Sequence, residues 1–417
     1  MNSEPTASFS GYQKLVIFLL AITQFTVILD FMVMSPLGDM LMKSLSLTPS
    51  DFGITVSAYA FSAGTSGLLT AGFADKFDRK KLLLFFYLGF ILGTACCGLA
   101  HTYTQLVIAR IVTGLFGGVI SSISMAIITD LFGLQQRGRV MGFIQMGFGA
   151  SQVLGVPIGL YLANIWGWEA PFWLVVAIAL VIAVLIIAKL KPINQHLIIQ
   201  REKTAVAHLW HTVKLKKHRI GFTSTALLSI GGFMMMPFGS AFAINNLGIT
   251  ESQLPLLFMI SGLSSLLILP MIGKLSDKVS KFKIFASASV WMMLMCVIYT
   301  NLSVTPFFIV VILNILMMMG IMSRMIPSQA LTSAIPEPQD RGAFMSINSS
   351  LQQIAGGVAA AVSGLIVSQP GKGQPLQHYD VVAYVIVGIT IISIFLMLRV
   401  SKLVLSKESG QPLITST

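Results

Sequence analysis

Asp75-Lys76-Phe77-Asp78-Arg79-Lys80-Lys81 stands between two long apolar stretches, and a related run, Gly273-Lys274-Leu275-Ser276-Asp277-Lys278, recurs in the same setting, with Asp277 falling 202 positions after Asp75. A short charged turn placed twice in an oily chain reads as a duplicated membrane bundle whose helices are tied together, twice over, on one side of the bilayer.

The surrounding chain supports that reading. Of 417 residues 55% are hydrophobic and 10% charged, and the mean hydropathy is +0.84, more apolar surface than a soluble core of this size hides. Apolar runs of about 20 residues, the length that crosses a ~30 Å hydrocarbon layer as helix, begin near Leu15, Phe52, Leu82, Thr104, Val140 and Pro171. Six more begin near Ile220, Leu254, Phe282, Pro306, Ala343 and Val381. The fold class is therefore an all-α membrane protein with twelve transmembrane helices in two pseudo-symmetric six-helix bundles. The first run continues past Asp30 without a small-residue cleavage site and is expected to stay as a helix. Cys96, Cys97 and Cys296 all fall inside spans, which points to neither a disulfide frame nor a metal cluster.

A net charge of +12 raises the question of nucleic acid. The placement of the charge answers it: with both termini cytoplasmic, 23 of the 27 Lys and Arg fall on the inner side, Lys43 and Lys372 outside, and Arg110 and Arg324 within spans. This skew is the positive-inside pattern, and it argues for a bilayer partner rather than nucleic acid. The longest polar stretch, 191–219, reads as a cytoplasmic linker between an N-terminal bundle, 1–190, and a C-terminal bundle with its cytoplasmic tail, 220–417. Arg137-Gly138 and Arg341-Gly342 precede the fifth and eleventh spans, an offset of 204 close to the 202 of the charged turns. Two parallel six-helix repeats hold substrate between them near mid-membrane. The chain has no Walker phosphate loop, so ATP hydrolysis is not expected, and no paired-carboxylate, His or Cys constellation suits an intramembrane enzyme.

Gly72-Phe73-Ala74-Asp75-Lys76-Phe77-Asp78-Arg79-Lys80-Lys81 resembles the G-x-x-x-D-R-x-G-R-[RK] signature of the major facilitator superfamily at Gly72, Asp75, Arg79 and Lys80, and departs from it at Lys76 and Asp78. The resemblance implies an inner gate. Asp75 can accept from a helix N-terminus or from Arg139, Arg79 can reach Asp130, and Asp277 provides a weaker copy in the second half. Arg110-Ile111-Val112-Thr113-Gly114 is similar to the R-x-x-x-G signature that proton-coupled members carry in the fourth span.

An arginine inside the bilayer is costly unless paired or wetted, and Asp30 in the first span offers the partner. At ~1.5 Å per residue, Asp30 lies roughly 12 Å below Gly38 and Arg110 roughly 9 Å below Thr104, so the two can share a depth. Burial favours the neutral form of a carboxyl group and an adjacent guanidinium favours the charged form, so small movements can switch Asp30 between them. That is what a proton carrier needs, and a static pair that fixes helix packing is the alternative.

Arg324 in the tenth span has no acid in the other spans of its half. It reads equally as a substrate contact or as an arginine snorkelling to the inner interface. Gln24, Tyr59, Gln145, Gln152, Asn314, Gln352 and Gln353 are candidate cavity residues, or else interhelical hydrogen-bonding groups. In the fifth span Gly155-Val156-Pro157-Ile158-Gly159 stands where drug-proton antiporters carry Gly-Pro-x-x-Gly-Gly. This variant resembles the arabinose-efflux-type permeases of the twelve-span drug-proton antiporter family, and its small residues read equally as pressing on the other half or as serving packing alone.

The resemblance implies proton-coupled secondary transport, as efflux of a small amphiphilic or polar organic compound such as a drug, sugar or nucleoside, from a monomer in the cell (inner) membrane with no cofactor. Proton-driven nutrient uptake and a membrane sensor that only binds are the rival readings.

Overall fold

The computed structural model describes residues 9–70, 76–194, 197, 205–337 and 340–409, and within these leaves out the side chains of 134, 135, 138, 145, 205–209, 277 and 407–409. The described chain is almost entirely helical. In the first half the helices are α1 (Gly11–Val33), α2 (Gly38–Ser44), α3 (Pro49–Thr70), α4 (Arg79–Gly98), α5 (Tyr103–Leu131), α6 (Leu134–Ala150), α7 (Val156–Trp166) and α8 (Ala170–Lys189). α9 (Ala205–Lys214) follows between the halves. The second half holds α10 (Lys216–Phe233), α11 (Gly239–Asn245), α12 (Leu254–Lys278), α13 (Lys281–Thr300), α14 (Phe307–Ser333), α15 (Arg341–Ile366) and α16 (Tyr379–Ser409).

Eleven segments are long and apolar enough to cross a membrane, with α6–α7 and α10–α11 each counting as one. α3, 22 residues long, supplies the twelfth crossing. Its apolar character is diluted by glycines and hydroxyl side chains because it is wedged between α5 and α15, and small residues let helix backbones approach. A Cβ on Gly53 would stand 2.7 Å from the Ala360 carbonyl oxygen, and one on Gly64 would stand 2.7 Å from that of Ser350. This seam joins the halves. A second seam sets α12 against the α6–α7 crossing, where a Cβ on Gly262 would come within 3.0 Å of the Gln152 carbonyl.

Local chemistry starts and breaks the helices where the sequence demands. Ser10 and Gln13 form a reciprocal capping box at α1, and Thr102 caps α5. Pro157 has no N–H to offer the preceding turn, and α6 passes into α7 through a π-helical turn, Ser151–Gly155. Ser151 Oγ, at the start of that turn, donates to the Phe25 carbonyl of α1 at 3.0 Å.

Of the two readings of the glycines of this crossing, packing within the first bundle prevails for most. Gly147, Gly155 and Gly159 press on Ala21, Leu29 and Val33, all in or at the end of α1 in the same half, and Gly149 alone of the four meets the other half, at Leu266. Their spacing puts them on the α1-facing side of the helix, so their small size serves packing within the first bundle. The segment 191–219 differs from a plain linker: it contains α9, packed on α10 and α15, and α10 already starts at Lys216. His218 Nδ1 lies 2.9 Å from the Thr212 carbonyl oxygen and fastens the end of α9.

The start of α1 and the end of α8 meet at one end of the bundle, where the Lys191 amide donates to the Tyr12 hydroxyl. At that basic end, Arg79–Asp130 (3.1 Å) and Lys217–Glu337 (2.9 Å) each stay within one half. At the far end the halves are bonded to each other. Asn245 Nδ2 donates to Asp39 at 2.5 Å, Ser240 Oγ to the Ser35 carbonyl at 2.8 Å, Lys372 Nζ to Ser46 Oγ at 2.7 Å, and Ser35 Oγ to the Met236 carbonyl.

Candidate transport site

Four helices of the first half converge on one charge pair. Arg110 of α5 donates from Nη1 to Asp30 Oδ2 of α1 at 2.7 Å. Thr94 of α4 donates to the other carboxylate oxygen at 3.1 Å. Tyr59 of α3 lays its ring over the guanidinium, 4.5 Å from centroid to Cζ. Both charges are fully enclosed, with 0% side-chain exposure. The enclosure is made possible by glycine: a Cβ on Gly93 would clash with Thr113, and one on Gly114 with the Tyr59 backbone, so α4, α5 and α3 close around the pair without gaps.

The pair forms although α1 ends sooner than the sequence implied. α1 stops at Val33 rather than near Gly38, which leaves Asp30 only ~4.5 Å below the helix end. A turn through Met34–Leu37 then carries the chain into α2. Two guanidinium nitrogens of Arg110, Nε and Nη2, have no hydrogen-bond partner among the described residues. The Tyr59 face is what offsets their burial, since a ring face attracts a desolvated cation by about 2 kcal/mol.

The other face of this wall is a cavity of ≈ 110 Å³ between the halves. Gln24 and Tyr59 line it from the first half, and Gln24 Oε1 accepts from Ser121 of α5 at 2.9 Å. α15 lines it from the second half with Ser346, Ser349, Ser350 and Gln353. These four recur at helical spacing and form one polar stripe. The cavity extends from the level of Tyr59 toward the basic end, where Ser346 lies ~7.5 Å into α15. A narrower annex of ≈ 10 Å³, shared through Phe31 and Gln353, leads toward Phe233 and Met236.

Other expected cavity residues lie elsewhere. Gln352 is exposed and points away from the cavity, and its neighbour Gln353, ~100° around the helix, takes the position. Asn314 is used up between helices, accepting from Ser261 of α12 at 2.8 Å, and does not line either cavity. Arg324 neither snorkels nor reaches the cavity. It is 3% exposed, directs Nη1 at the Met292 sulfur and lies over the Phe285 ring at 5.5 Å. Its α14 face packs on α13, so aromatic and thioether contacts stand where an acid would otherwise be needed. The side chain of Gln145 is outside the described residues.

At the basic end the structure joins Arg79 Nε to Asp130 at 3.1 Å. Arg139 is exposed over the ring of Phe9, 4.7 Å away. Gly72 and Asp75, one residue closer together than in the family signature, lie outside the described residues, as does the Asp277 side chain. Asp78, where the signature has glycine, has its own work: it caps α4 by accepting from the Lys81 amide and binds the Ile193 amide at 2.9 Å. Asp followed by a helix start was a readable cap signal. Thr94 was not readable, because a threonine in an apolar helix bonds its own i−4 carbonyl as readily as a distant acid.

Comparison with known proteins agrees with this architecture. The chain is 24% identical over 373 residues to the MFS-type transporter YceJ of Bacillus subtilis (strain 168), covering 89% of this chain and 93% of the relative. A shorter region, 123 residues or 30% of this chain and 24% of the relative, is 35% identical to Multidrug resistance protein 3 of the same organism. The fold superposes on a bacterial homologue of the human lysosomal transporter Spinster with a TM-score of 0.77 at 14% identity, covering 96% of this chain and 99% of that one. It superposes on a D-xylose-proton symporter with a TM-score of 0.75 at 16% identity, covering 93% and 97%. The model for the Major Facilitator Superfamily matches twice, over residues 20–223 and 221–415. One match falls on each six-helix half, so that the repeat first seen in two charged turns is the family's own, and the chain belongs to the major facilitator superfamily, a family of membrane transporters.

Proposed function

We propose that this transporter is proton-coupled and exports a small amphiphilic or polar organic compound, a drug, sugar or nucleoside, by alternating access. The observation that carries the proposal is the Asp30–Arg110 pair, fully enclosed and separated from the inter-half cavity by the Tyr59 ring. A static pair of this kind contributes little to stability compared with apolar packing, and an intramembrane acid is by default functional. Protonation of Asp30 would free Arg110 and loosen the contacts among α1, α4 and α5, coupling charge to helix position. The skew of 23 basic residues toward one side supports a cell membrane location with both termini cytoplasmic. The far end, bonded across the halves, is then the outer gate, and the Arg79–Asp130 region belongs to the inner one. Small-molecule substrate, protons and lipid are the partners, and the monomer is the working unit.

Proteoliposomes with an imposed pH gradient test the coupling, with ethidium, D-xylose and uridine as probes. Wild-type protein is expected to concentrate at least one of them, and Asp30→Asn to lose that accumulation while keeping downhill exchange. Undiminished uphill transport by Asp30→Asn would reject the role of Asp30.

A further inference from the structure

From the chemistry of the cavity we infer that the substrate is a compact, uncharged, hydroxyl-rich ring of the monosaccharide type, rather than a cationic drug or an organic anion. The inference rests on the transport reading above and narrows its substrate.

Among the described residues that line the cavity none is Asp, Glu, Lys, Arg or His. The nearest charges, Asp30 and Arg110, cancel each other and lie sealed behind Tyr59. Arg324, the other cation buried in a span, faces α13 instead. A charged solute entering this space would leave water and meet no counter-charge, and burying an unpaired charge is costly. A hydroxylated solute meets the opposite situation. Ser346, Ser350 and Gln353 on α15 face Gln24, Tyr59 and Ser121 across the cavity. Serine and tyrosine hydroxyls each donate and accept, and a carboxamide does both at once, which is the same dual capacity that a ring of hydroxyls presents.

The aromatic wall completes the match. Phe31 and Tyr59, 5.3 Å apart with 35° between their planes, add apolar contact to the cavity wall for the weakly polar face of such a ring. Size points the same way. At ≈ 110 Å³ the cavity is well below the roughly 300–1,000 Å³ typical of drug-sized sites. A free sugar and the ribose of a nucleoside share the recognised chemistry.

Counterflow in proteoliposomes without a pH gradient, using D-xylose, uridine, ethidium and benzoate, tests the inference, and thermal unfolding with each probe gives an independent measure of binding. Exchange of D-xylose or uridine, with neither ion exchanged, is the expected result; xylose alone assigns a free sugar and uridine alone a nucleoside. Gln353→Leu should raise the half-saturation concentration about tenfold, the loss of one buried hydrogen-bonding partner. Ser349→Asp, which adds a counter-charge to the cavity wall, should confer ethidium exchange. If wild-type protein exchanges ethidium or benzoate but neither hydroxylated probe, the substrate class is wrong and the transport reading survives. If xylose or uridine raises the unfolding temperature without any exchange, the recognition chemistry survives and the transport reading falls. Silence of all four probes in both measurements overturns the substrate class.

Discussion

Asp30 is held by one guanidinium and one hydroxyl, from two different helices, in a place water does not reach. Removing Arg110 therefore strands a carboxylate. Arg110→Ala is expected to cost about 3–5 kcal/mol, the usual penalty for breaking a buried pair from one side, and thermal unfolding in detergent should show it. Asp30→Asn combined with Arg110→Leu removes both charges and should recover most of that loss, whereas additive losses would show that the two side chains act separately. The surface pair Lys217–Glu337, 39% exposed on each side, is the contrast: Lys217→Ala should change stability by less than about 1 kcal/mol. At this scale the sequence was legible where a charge stood in oil. Asp30 and Arg110 stood out in their spans, as a proton carrier or as a static pair that fixes packing, and they are paired. Polar uncharged residues were ambiguous, since Gln352 and Gln353 read alike and only the phase of α15 decides that the second lines the cavity. Arg324 was illegible because it meets a ring and a thioether, Phe285 and Met292, instead of an acid, while its Nε and Nη2 have no hydrogen-bond partner among the described residues.

α3 forms a tight seam between the two halves, because its glycines bring its backbone against α15. Gly53→Ala would drive a methyl group into the Ala360 carbonyl and the Gly364 Cα, at 2.7 and 3.0 Å. Neither backbone atom can yield, so the far end should spring open. In a background without the native cysteines, labelling of Ala241→Cys, which is 0% exposed, by an impermeant maleimide should rise several-fold on adding Gly53→Ala. An unchanged rate would show that the seam can absorb the methyl group. Hydropathy carries eleven of the twelve crossings, and α3 is the weakest signal for the reason that makes it important: glycine and serine replace leucine where backbones meet. The π-helical turn at Ser151–Gly155 was signalled only by Pro157, and the direction of the neighbouring glycines depended on a helix phase that the turn itself shifts.

For the whole molecule, the described interactions weigh on one end. Hydrogen bonds cross between the halves at the far end through Asn245, Ser240, Ser35, Lys372 and Asn164, and Lys43 approaches Glu251 across them. At the basic end, the described pairs Arg79–Asp130 and Lys217–Glu337 each stay within a half. Each crossing bond contributes a net ~0.5–1.5 kcal/mol, so Asn245→Ala should shift the balance between the two access states by roughly two- to tenfold toward an open far end. Distance measurements between spin labels on α2 and α11 would report the shift, and an unchanged distribution would remove Asn245 from the gate. The duplication was legible from two charged turns and two Arg-Gly steps. Which end is closed was not, because that depends on pairings such as Asp39 with Asn245 that no periodicity announces.

The position of Asp30 inside one bundle, rather than between two, has a kinetic consequence. If the halves only swung as solid blocks, the carboxyl would stay as dry after the swing as before it, since Thr94, Arg110 and Tyr59 travel with it. Hydrogen ions can reach it only when the phenol rotates aside or the first bundle itself flexes. Under the proposed proton coupling the Tyr59 ring is the door to this carboxyl, and replacing it with a smaller side chain should uncouple the leak of hydrogen ions from the movement of cargo.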